Sequence, residues 1–220
     1  MRQYFIYEDL TKKNGKFIAA NKAREDVYEI MEEIGFECIH VTAKSNQERT
    51  KLNFKDKILE HNMIAKSWDT SIRDAIIDSN DSIIWIQFPP TNHSLKLNSI
   101  IKKYHKLGVK IGLIIHDIDM LRYSSRENSD IKRSVRIKFE ESPVLVIADY
   151  IIAHNKAMIG SLVNMGVSKN KLFDLQIFDY LMNPNIEAKV RLESPIIIAG
   201  NLHSDKAGYV YNLPGDVNFN

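Results

Sequence analysis

Stretches rich in apolar residues recur along the chain and predict its strands, and those at 81–90 and 109–116 are nearly continuous apolar runs. The stretches are QYFIYE (3–8), FECIHV (36–41), DSIIWIQFPP (81–90), VKIGLIIH (109–116), YIIA (150–153) and KLFDLQI (171–177). A strand that is buried on both faces of a parallel sheet has this composition, whereas a strand with one wet face alternates apolar and polar residues. The runs therefore favour a mostly parallel sheet.

Stretches with helical spacing separate these runs. A first helix is expected from about Asn21, with Asn21 as its N-cap and Gly35 just past its end. Its apolar face consists of Ala23, Val27, Ile30, Met31 and Ile34. One or two helices are expected at about 54–77, and further ones at 97–107, 128–141 and 155–165. The alternation of strand and helix predicts an α/β fold with a doubly wound sheet.

The pattern changes near the C-terminal end of the chain. Residues 179–194 are polar, contain a proline and show neither period, so they are expected to form a linker. After them IIIA starts a new strand that leads into Gly200 and another helix. The predicted organisation is a first lobe at 1–178, a linker at 179–194 and the start of a second lobe at 195–220.

Composition excludes several classes of protein. A net charge of +2 over 220 residues does not indicate a nucleic-acid partner. Cys38 is the single cysteine, which excludes an intrachain disulfide and suits a reducing cytoplasm. No run approaches the roughly 20 apolar residues of a spanning helix, so we expect a cytoplasmic protein and leave open its attachment to the inner face of a membrane. The scattered histidines form no zinc motif.

A cluster of ionisable residues directly follows one buried run. His116, Asp117, Asp119 and Arg122 lie within HDIDMLR, immediately after the strand at 109–116. Ligands of open α/β sheets bind outside the carboxyl ends of the strands. His116 titrates near neutral pH, and Asp117 or Asp119 could orient it or act as the base. The alternative is that these residues cap the following helical turn and face water.

Hydrogen-bonding side chains follow the neighbouring strand at QFPPTNHS. Gln87, Asn92 and His93 are suited to a hydroxyl-rich ligand at the same edge of the sheet. The alternative is a strand stopped by proline, followed by an Asn or Ser helix cap.

Two glycine-containing turns offer backbone amides to a phosphate. Asn14 and Gly15 lie between the first strand and the first helix, without the spacing of a dinucleotide-binding loop. In the second lobe, the amides from Gly200 to Leu202 and the Lys206 ammonium would suit a diphosphate. For either turn the alternative is an ordinary surface loop, which is the better default for Asn14 and Gly15.

Five stretches in this order resemble a known family. NKAREDV, IIWIQFPP, GVKIGLIIHDIDMLR, ADYIIAHNKAMIGSLVNMGV and IIIAGNLHSDKAGYVYNLP together resemble bacterial galactofuranosyltransferases and the related glucosyltransferases that build cell-surface glycans and modify serine-rich adhesins. The resemblance implies a GT-B architecture with two Rossmann-like lobes. In that family the acceptor lies on the N-terminal lobe, the nucleotide-sugar mainly on the C-terminal lobe, and the reaction takes place in the cleft.

The resemblance implies transfer of a hexose, galactofuranose or glucose, from a UDP-sugar to a glycan or glycoprotein in polysaccharide biosynthesis or adhesin glycosylation. The expected catalytic residues are His116, Asp117 and Asp119. The expected acceptor-binding residues are Gln87, Asn92, His93 and Arg122. The expected donor-binding residues are Asn14, Gly15, Gly200, Asn201, Leu202 and Lys206. Because no D-x-D motif stands in a loop position, no metal and no cofactor besides the donor are expected.

The chain departs from the family pattern in its second lobe, which is expected to be incomplete. We therefore expect a fragment of a two-lobed enzyme that is inactive alone and binds UDP-sugar weakly or not at all. The rival interpretation is a non-catalytic module that binds a glycan or a partner glycosyltransferase. The sequence leaves the oligomeric state open, with a homo-oligomer among the alternatives.

Overall fold

A parallel sheet forms the centre of the part of the chain that the structure describes. The computed structural model describes residues 1–10, 19–44, 52–118, 131–176 and 181, without the side chains of Leu10, 19–21 and 131–138. Within these ranges six strands pair in the order β2-β1-β3-β4-β5-β6, and every pair is parallel. The strands are β1 Arg2–Leu10, β2 Glu37–Ala43, β3 Ser82–Phe88, β4 Lys110–Ile115, β5 Tyr150–Ala153 and β6 Leu172–Asp174.

Helices connect consecutive strands. The described ones are α1 Ala19–Glu33, α2 Phe54–Ala75, α3 Leu95–Lys106, α4 Ile131–Ile147 and α5 Lys156–Asn164, followed by a short 3₁₀ helix, Lys169–Lys171. The side chains of Asn53, Ser94 and Asn155 accept hydrogen bonds from the first turns of α2, α3 and α5, and so start these helices. Asn21 lies inside α1, which begins at Ala19, so its prediction as the N-cap was wrong.

The handedness of the connections distributes the helices unequally over the two faces. Only the step from β1 to β2 moves toward one edge of the sheet, and all later steps move toward the other. Since parallel crossovers are right-handed, α1 must cover one face and the later helices the opposite face. The core agrees: Val27 and Met31 of α1 pack with Phe5 and Ile114 on one side. Residues of α2 to α5 fill the other side with the alternate strand positions.

The larger core explains why apolar runs predicted the strands. Ile84, Ile86 and Phe88 of β3 and Ile111, Leu113 and Ile115 of β4 are buried under α2 and α3. The intervening positions face α1, and most of them are apolar as well. Because both faces of these strands are covered, their sequences lack the alternation of a half-exposed sheet. The predicted Rossmann-like α/β class is confirmed, and the described sheet is entirely parallel.

Three predicted elements differ from the structure. The stretch expected to hold one or two helices is one helix, α2. The helix predicted at 128–141 occupies Ile131–Ile147 and continues through Pro143, because Val144 and Leu145 are buried in the core. The strand predicted at 171–177 is only Leu172–Asp174, since it begins after a 3₁₀ turn and its residues are largely exposed.

The chain divides into two units, Met1–Tyr180 and Leu181–Asn220. The sheet and its helices belong to the first unit. The second contributes only Leu181 to the described residues. The linker predicted at 179–194 and the lobe predicted from 195 therefore lie almost entirely outside them and stay predictions.

Candidate functional site

The site lies where the strand order reverses. The chain passes from β1 to β2 on one side and then returns across β1 to β3 on the other. The carboxyl ends of two strands whose connections leave in opposite directions form a crevice, which is the usual ligand site of such sheets. At this edge lies a set of five polar residues, which we call the edge cluster. Its members are Glu8, Arg24, Gln87, His116 and His154.

Glu8 and Arg24 form a largely buried ion pair in this cluster. Arg24 Nη1 of α1 lies 3.5 Å from Glu8 Oε2 of β1, with side chains 23% and 11% exposed. Glu8 also accepts hydrogen bonds of 3.0 Å from the backbone N–H and the hydroxyl of Thr91. Arg24 Nη2 donates to the carbonyl oxygen of Pro89. Burial raises the pKa of Glu8, while the Arg24 charge and the Thr91 hydrogen bonds oppose that rise.

Gln87 connects α1 to the end of β4. Its Nε2 donates a 3.0 Å hydrogen bond to the backbone carbonyl of Arg24, and its Oε1 forms a short hydrogen bond with His116 Nε2. The backbone N–H of His116 donates to the carbonyl of Phe88 at 2.9 Å, which continues the pairing of β3 with β4 beyond Ile115. Two of the residues expected at the site, Gln87 and His116, are thus in direct contact.

His116 is held in its neutral form. Burial lowers its pKa to about 3, and the nearby charges of Arg24 and His154 contribute to that shift. The rings of His116 and His154 have centroids 6.4 Å apart, so a positive charge on His154 disfavours a proton on His116. The edge cluster therefore offers an uncharged imidazole near neutral pH.

The remaining residues of HDIDMLR are only partly described. Asp117 is half-buried, and its Oδ1 accepts a 2.8 Å hydrogen bond from the backbone N–H of Ile118. The helical turn that the alternative interpretation places after Asp117 lies outside the described residues, so both interpretations of Asp117 stay predictions. Asp119 and Arg122 lie outside the described residues, and their roles stay predictions.

Asn92 and His93 are already engaged by the fold. Asn92 is 1% exposed, and its amide accepts from the N–H of Lys44 at 2.7 Å and donates to the carbonyl of Lys44 at 2.8 Å. Nε2 of His93 is hydrogen-bonded to Asn98 Oδ1 at 2.8 Å, and burial lowers the pKa of His93. These contacts hold the loop after β3 against β2 and α3. The acceptor-binding role expected of both residues stays a prediction.

The residues expected to bind the donor are not described. Asn14, Gly15, Gly200, Asn201, Leu202 and Lys206 all lie outside the described ranges. Within those ranges, no three His, Cys, Asp or Glu side chains are grouped as metal ligands would be. In the same part of the chain no helix combines the length and the apolar character needed to cross a bilayer.

The sequence pattern did not single out Glu8, Arg24 and His154. Glu8 ends the first predicted strand just as His116 ends the fourth, so its position at the edge could have been inferred from that parallel. Arg24 and His154 lie within NKAREDV and ADYIIAHNKAM, two of the stretches that carry the family resemblance. They lie close to Gln87 and His116 because of the strand order, which cannot be inferred from the spacing of apolar residues along the sequence.

A parallel α/β sheet of this order is Rossmann-like, and sheets of this kind bind ligands at the switch point where these titratable side chains lie. Residues 7–177 match the family described as "Glucosyltransferase 3-like, N-terminal domain". The chain belongs to this family of bacterial glycosyltransferases.

Two individual proteins are similar to it. The chain is 32% identical over 115 residues to the beta-1,6-galactofuranosyltransferase WbbI of Escherichia coli (strain K12), a match that covers 51% of this chain and 31% of WbbI. The apo form of the lipopolysaccharide outer core galactosyltransferase WaaB covers 90% of this chain and 51% of its own, at 12% sequence identity and a TM-score of 0.48. The chain therefore spans about half or less of these proteins.

Proposed function

We propose that the chain is the acceptor-binding lobe of a GT-B sugar transferase. The complete enzyme moves a hexose, galactofuranose or glucose, from a UDP-linked donor to a hydroxyl of a cell-surface glycan or glycoprotein. Family membership supports the transfer of a sugar, and the name of WbbI supports galactofuranose as the first candidate. The carrying observation is the neutral His116 held by Gln87 at the switch point of the sheet.

The transfer requires that a proton leave the acceptor hydroxyl. Its oxygen bonds to the anomeric carbon of the sugar while the bond from that carbon to the phosphate oxygen breaks, and UDP departs with the electron pair. The hydroxyl proton passes to a base, and a neutral imidazole can accept it. In this proposal His116 takes that proton, and Asp117 or Asp119 is the alternative base. Burial, with Arg24 and His154, keeps His116 unprotonated, and the same effects make it a weaker base than an ordinary histidine.

The charge that develops on the diphosphate needs hydrogen-bond donors and cations. We assign this role to the amides of Gly200, Asn201 and Leu202 and to Lys206 in the second lobe, and to Asn14 and Gly15 in the first lobe. The chemistry of these groups supports the assignment, because an ammonium group and the backbone amides of a glycine-containing turn, here predicted to precede a helix, bind phosphate well.

The experiment is a transfer assay on the full-length protein. UDP-galactofuranose, UDP-galactopyranose and UDP-glucose are each offered with a galactose- or glucose-terminated oligosaccharide, and both UDP release and the extended glycan are measured. We expect acceptor-dependent UDP release with UDP-galactofuranose or with UDP-glucose. Binding of the oligosaccharide without transfer from any donor would favour the non-catalytic module instead.

A further inference from the structure

The amide of Gln87 can adopt only one orientation. Its Nε2 donates to the backbone carbonyl of Arg24 at 3.0 Å, and rotating the amide by half a turn would place two oxygen atoms against each other. Oε1 must therefore face His116, and an amide oxygen can only accept a hydrogen bond. It follows that Nε2 of His116 carries a hydrogen.

The neutral ring then has its lone pair on Nδ1. A neutral imidazole holds one hydrogen, and Gln87 keeps it on Nε2. No residue in the described ranges is seen to donate a hydrogen bond to Nδ1. This nitrogen is thus the atom of His116 that can accept a proton from a substrate hydroxyl.

We propose that Gln87 is a positioning residue that keeps the His116 hydrogen on Nε2 and reserves Nδ1 for the proton of the acceptor hydroxyl. The tautomer follows from the hydrogen bonds alone, whereas its use in catalysis rests on the proposed function. Gln87 acts through His116 and is not assigned any contact with the reacting atoms.

The charged groups around the His116 ring also keep it neutral, because they lower its pKa. Arg24 of α1 and His154 after β5 both disfavour a positive charge on His116, and burial adds to their effect. Glu8 of β1 is the carboxylate of the edge cluster, and its charge is paired with that of Arg24, 3.5 Å away. Asp117 follows His116 in the chain and accepts a hydrogen bond from Ile118. An uncharged amide at position 87 accepts from Nε2 without attracting a second proton to the ring.

A second histidine in the chain provides a matched control. Nε2 of His93 is hydrogen-bonded to Oδ1 of Asn98, and Nδ2 of Asn98 donates to the carbonyl of Glu140. Asn98 therefore holds His93 as Gln87 holds His116, and His93 is not a member of the edge cluster. Replacing either amide by the matching acid makes the same chemical change, but only one of the two changes touches His116.

The test compares Gln87→Glu with Asn98→Asp in the full-length protein. Long-range ¹H–¹⁵N spectra identify the protonated ring nitrogens, and a His116→Gln spectrum assigns the His116 signals. In the wild type we expect hydrogen on Nε2, none on Nδ1 and no titration of His116 between pH 5 and 8. In Gln87→Glu we expect His116 to become doubly protonated near neutral pH. Transferase kcat should then fall by about 10-fold between pH 8.5 and pH 6.

Asn98→Asp should raise the pKa of His93 and leave the ¹⁵N signals of His116 as they are in the wild type. A wild-type His116 that carries hydrogen on Nδ1, or that titrates near 6.5, would overturn the inference. So would a Gln87→Glu enzyme whose His116 charges while its kcat stays independent of pH. The spectra give their answer whether or not a UDP-sugar is turned over, so failure of the proposed function and failure of this inference are distinguishable.

If Gln87→Glu does not fold, Gln87→Met replaces it. Methionine removes the strong acceptor, so the hydrogen should redistribute between the two nitrogens and their ¹⁵N shifts should approach each other. Unchanged shifts in Gln87→Met would mean that another group fixes the tautomer, which contradicts the inference.

Discussion

Trp85 of β3 lies over Gly112 of β4, so closely that a Cβ built at position 112 would fall 2.5 Å from the indole ring. The indole also stacks on Tyr150 of β5, with centroids 6.3 Å apart and planes inclined by 23°. Gly112 pairs with Trp85 on one side and with Tyr150 on the other. A glycine in the middle of a buried strand thus makes room for an aromatic pair that spans three strands.

Gly112→Ala should therefore destabilise the protein by about 1–3 kcal/mol, because the added methyl group overpacks the contact with Trp85. Urea unfolding measures this difference. The matched control is Gly160→Ala on α5, where an added Cβ meets nothing within 4 Å; it should stabilise by roughly 0.5–1 kcal/mol. Wild-type stability in Gly112→Ala would show that the indole can move aside.

Arg24→Met removes the cation that compensates Glu8 and keeps most of the apolar stem. We expect a loss of about 2–3 kcal/mol, somewhat below the ~3–5 kcal/mol of a fully buried pair, since Arg24 is partly exposed. The double variant Arg24→Met with Glu8→Gln should recover part of this loss, because no uncompensated carboxylate remains. Strictly additive losses in chemical denaturation would argue against a coupled pair.

The stability of the protein should fall as the pH drops from 6.5 toward about 3 because of His116. Its pKa is depressed in the folded state, so between these values the unfolded chain binds a proton that the folded chain does not. The slope approaches 1.4 kcal/mol per pH unit for one such proton. His93, whose pKa is also lowered, adds to the slope. Glu8 acts in the opposite sense, because its raised pKa favours the folded state as the pH falls.

The contribution of His116 is the difference between the wild type and His116→Gln, in which an amide N–H still reaches Gln87. The melting temperature of the variant should decline less steeply over this range of pH. Parallel curves for the two proteins would mean that His116 titrates normally in the folded chain.

His116→Ala and Asp117→Asn should each lower the turnover of the full-length enzyme by about 10²-fold or more, the usual scale for a positioned acid or base. Circular dichroism should show that both variants fold. Full activity in both would leave the catalytic assignment without support. Arg122→Ala and Asp119→Asn test a structural ion network instead, which predicts a lower melting temperature with unchanged turnover per folded molecule.

Asn92→Ala separates the two roles considered for this residue. Loss of both hydrogen bonds to the backbone of Lys44 leaves buried polar groups unpaired and should cost about 1–3 kcal/mol. A purely structural role predicts an unchanged KM for the acceptor oligosaccharide in the folded fraction. A raised KM beyond what unfolding explains would support acceptor binding as well.

Most of the sheet could be predicted from the sequence because strands that are buried on both faces consist almost entirely of apolar residues. The runs ending at Phe88 and His116 were recognisable for this reason, and so was the polar edge that follows them. The helix through Pro143 could not be predicted locally, since the core packing of Val144 and Leu145 outweighs the cost of the proline. The edge cluster was found only in part. Gln87 and His116 lie at the ends of buried strands. Arg24 lies on a helix that is far from them in the sequence, and only the strand order brings this helix close to them.

β1 is an interior strand with a partner on each side, which has a consequence for synthesis on the ribosome. Phe5 pairs with Cys38 on one side and with Trp85 on the other, so its second partner is translated roughly 80 residues after it. At about 5–20 residues per second this takes roughly 4–16 s. During that time one edge of β1, with its apolar side chains, has no strand to pair with. The nascent N-terminal segment is therefore the part of this chain on which a ribosome-associated chaperone would have the longest time to act.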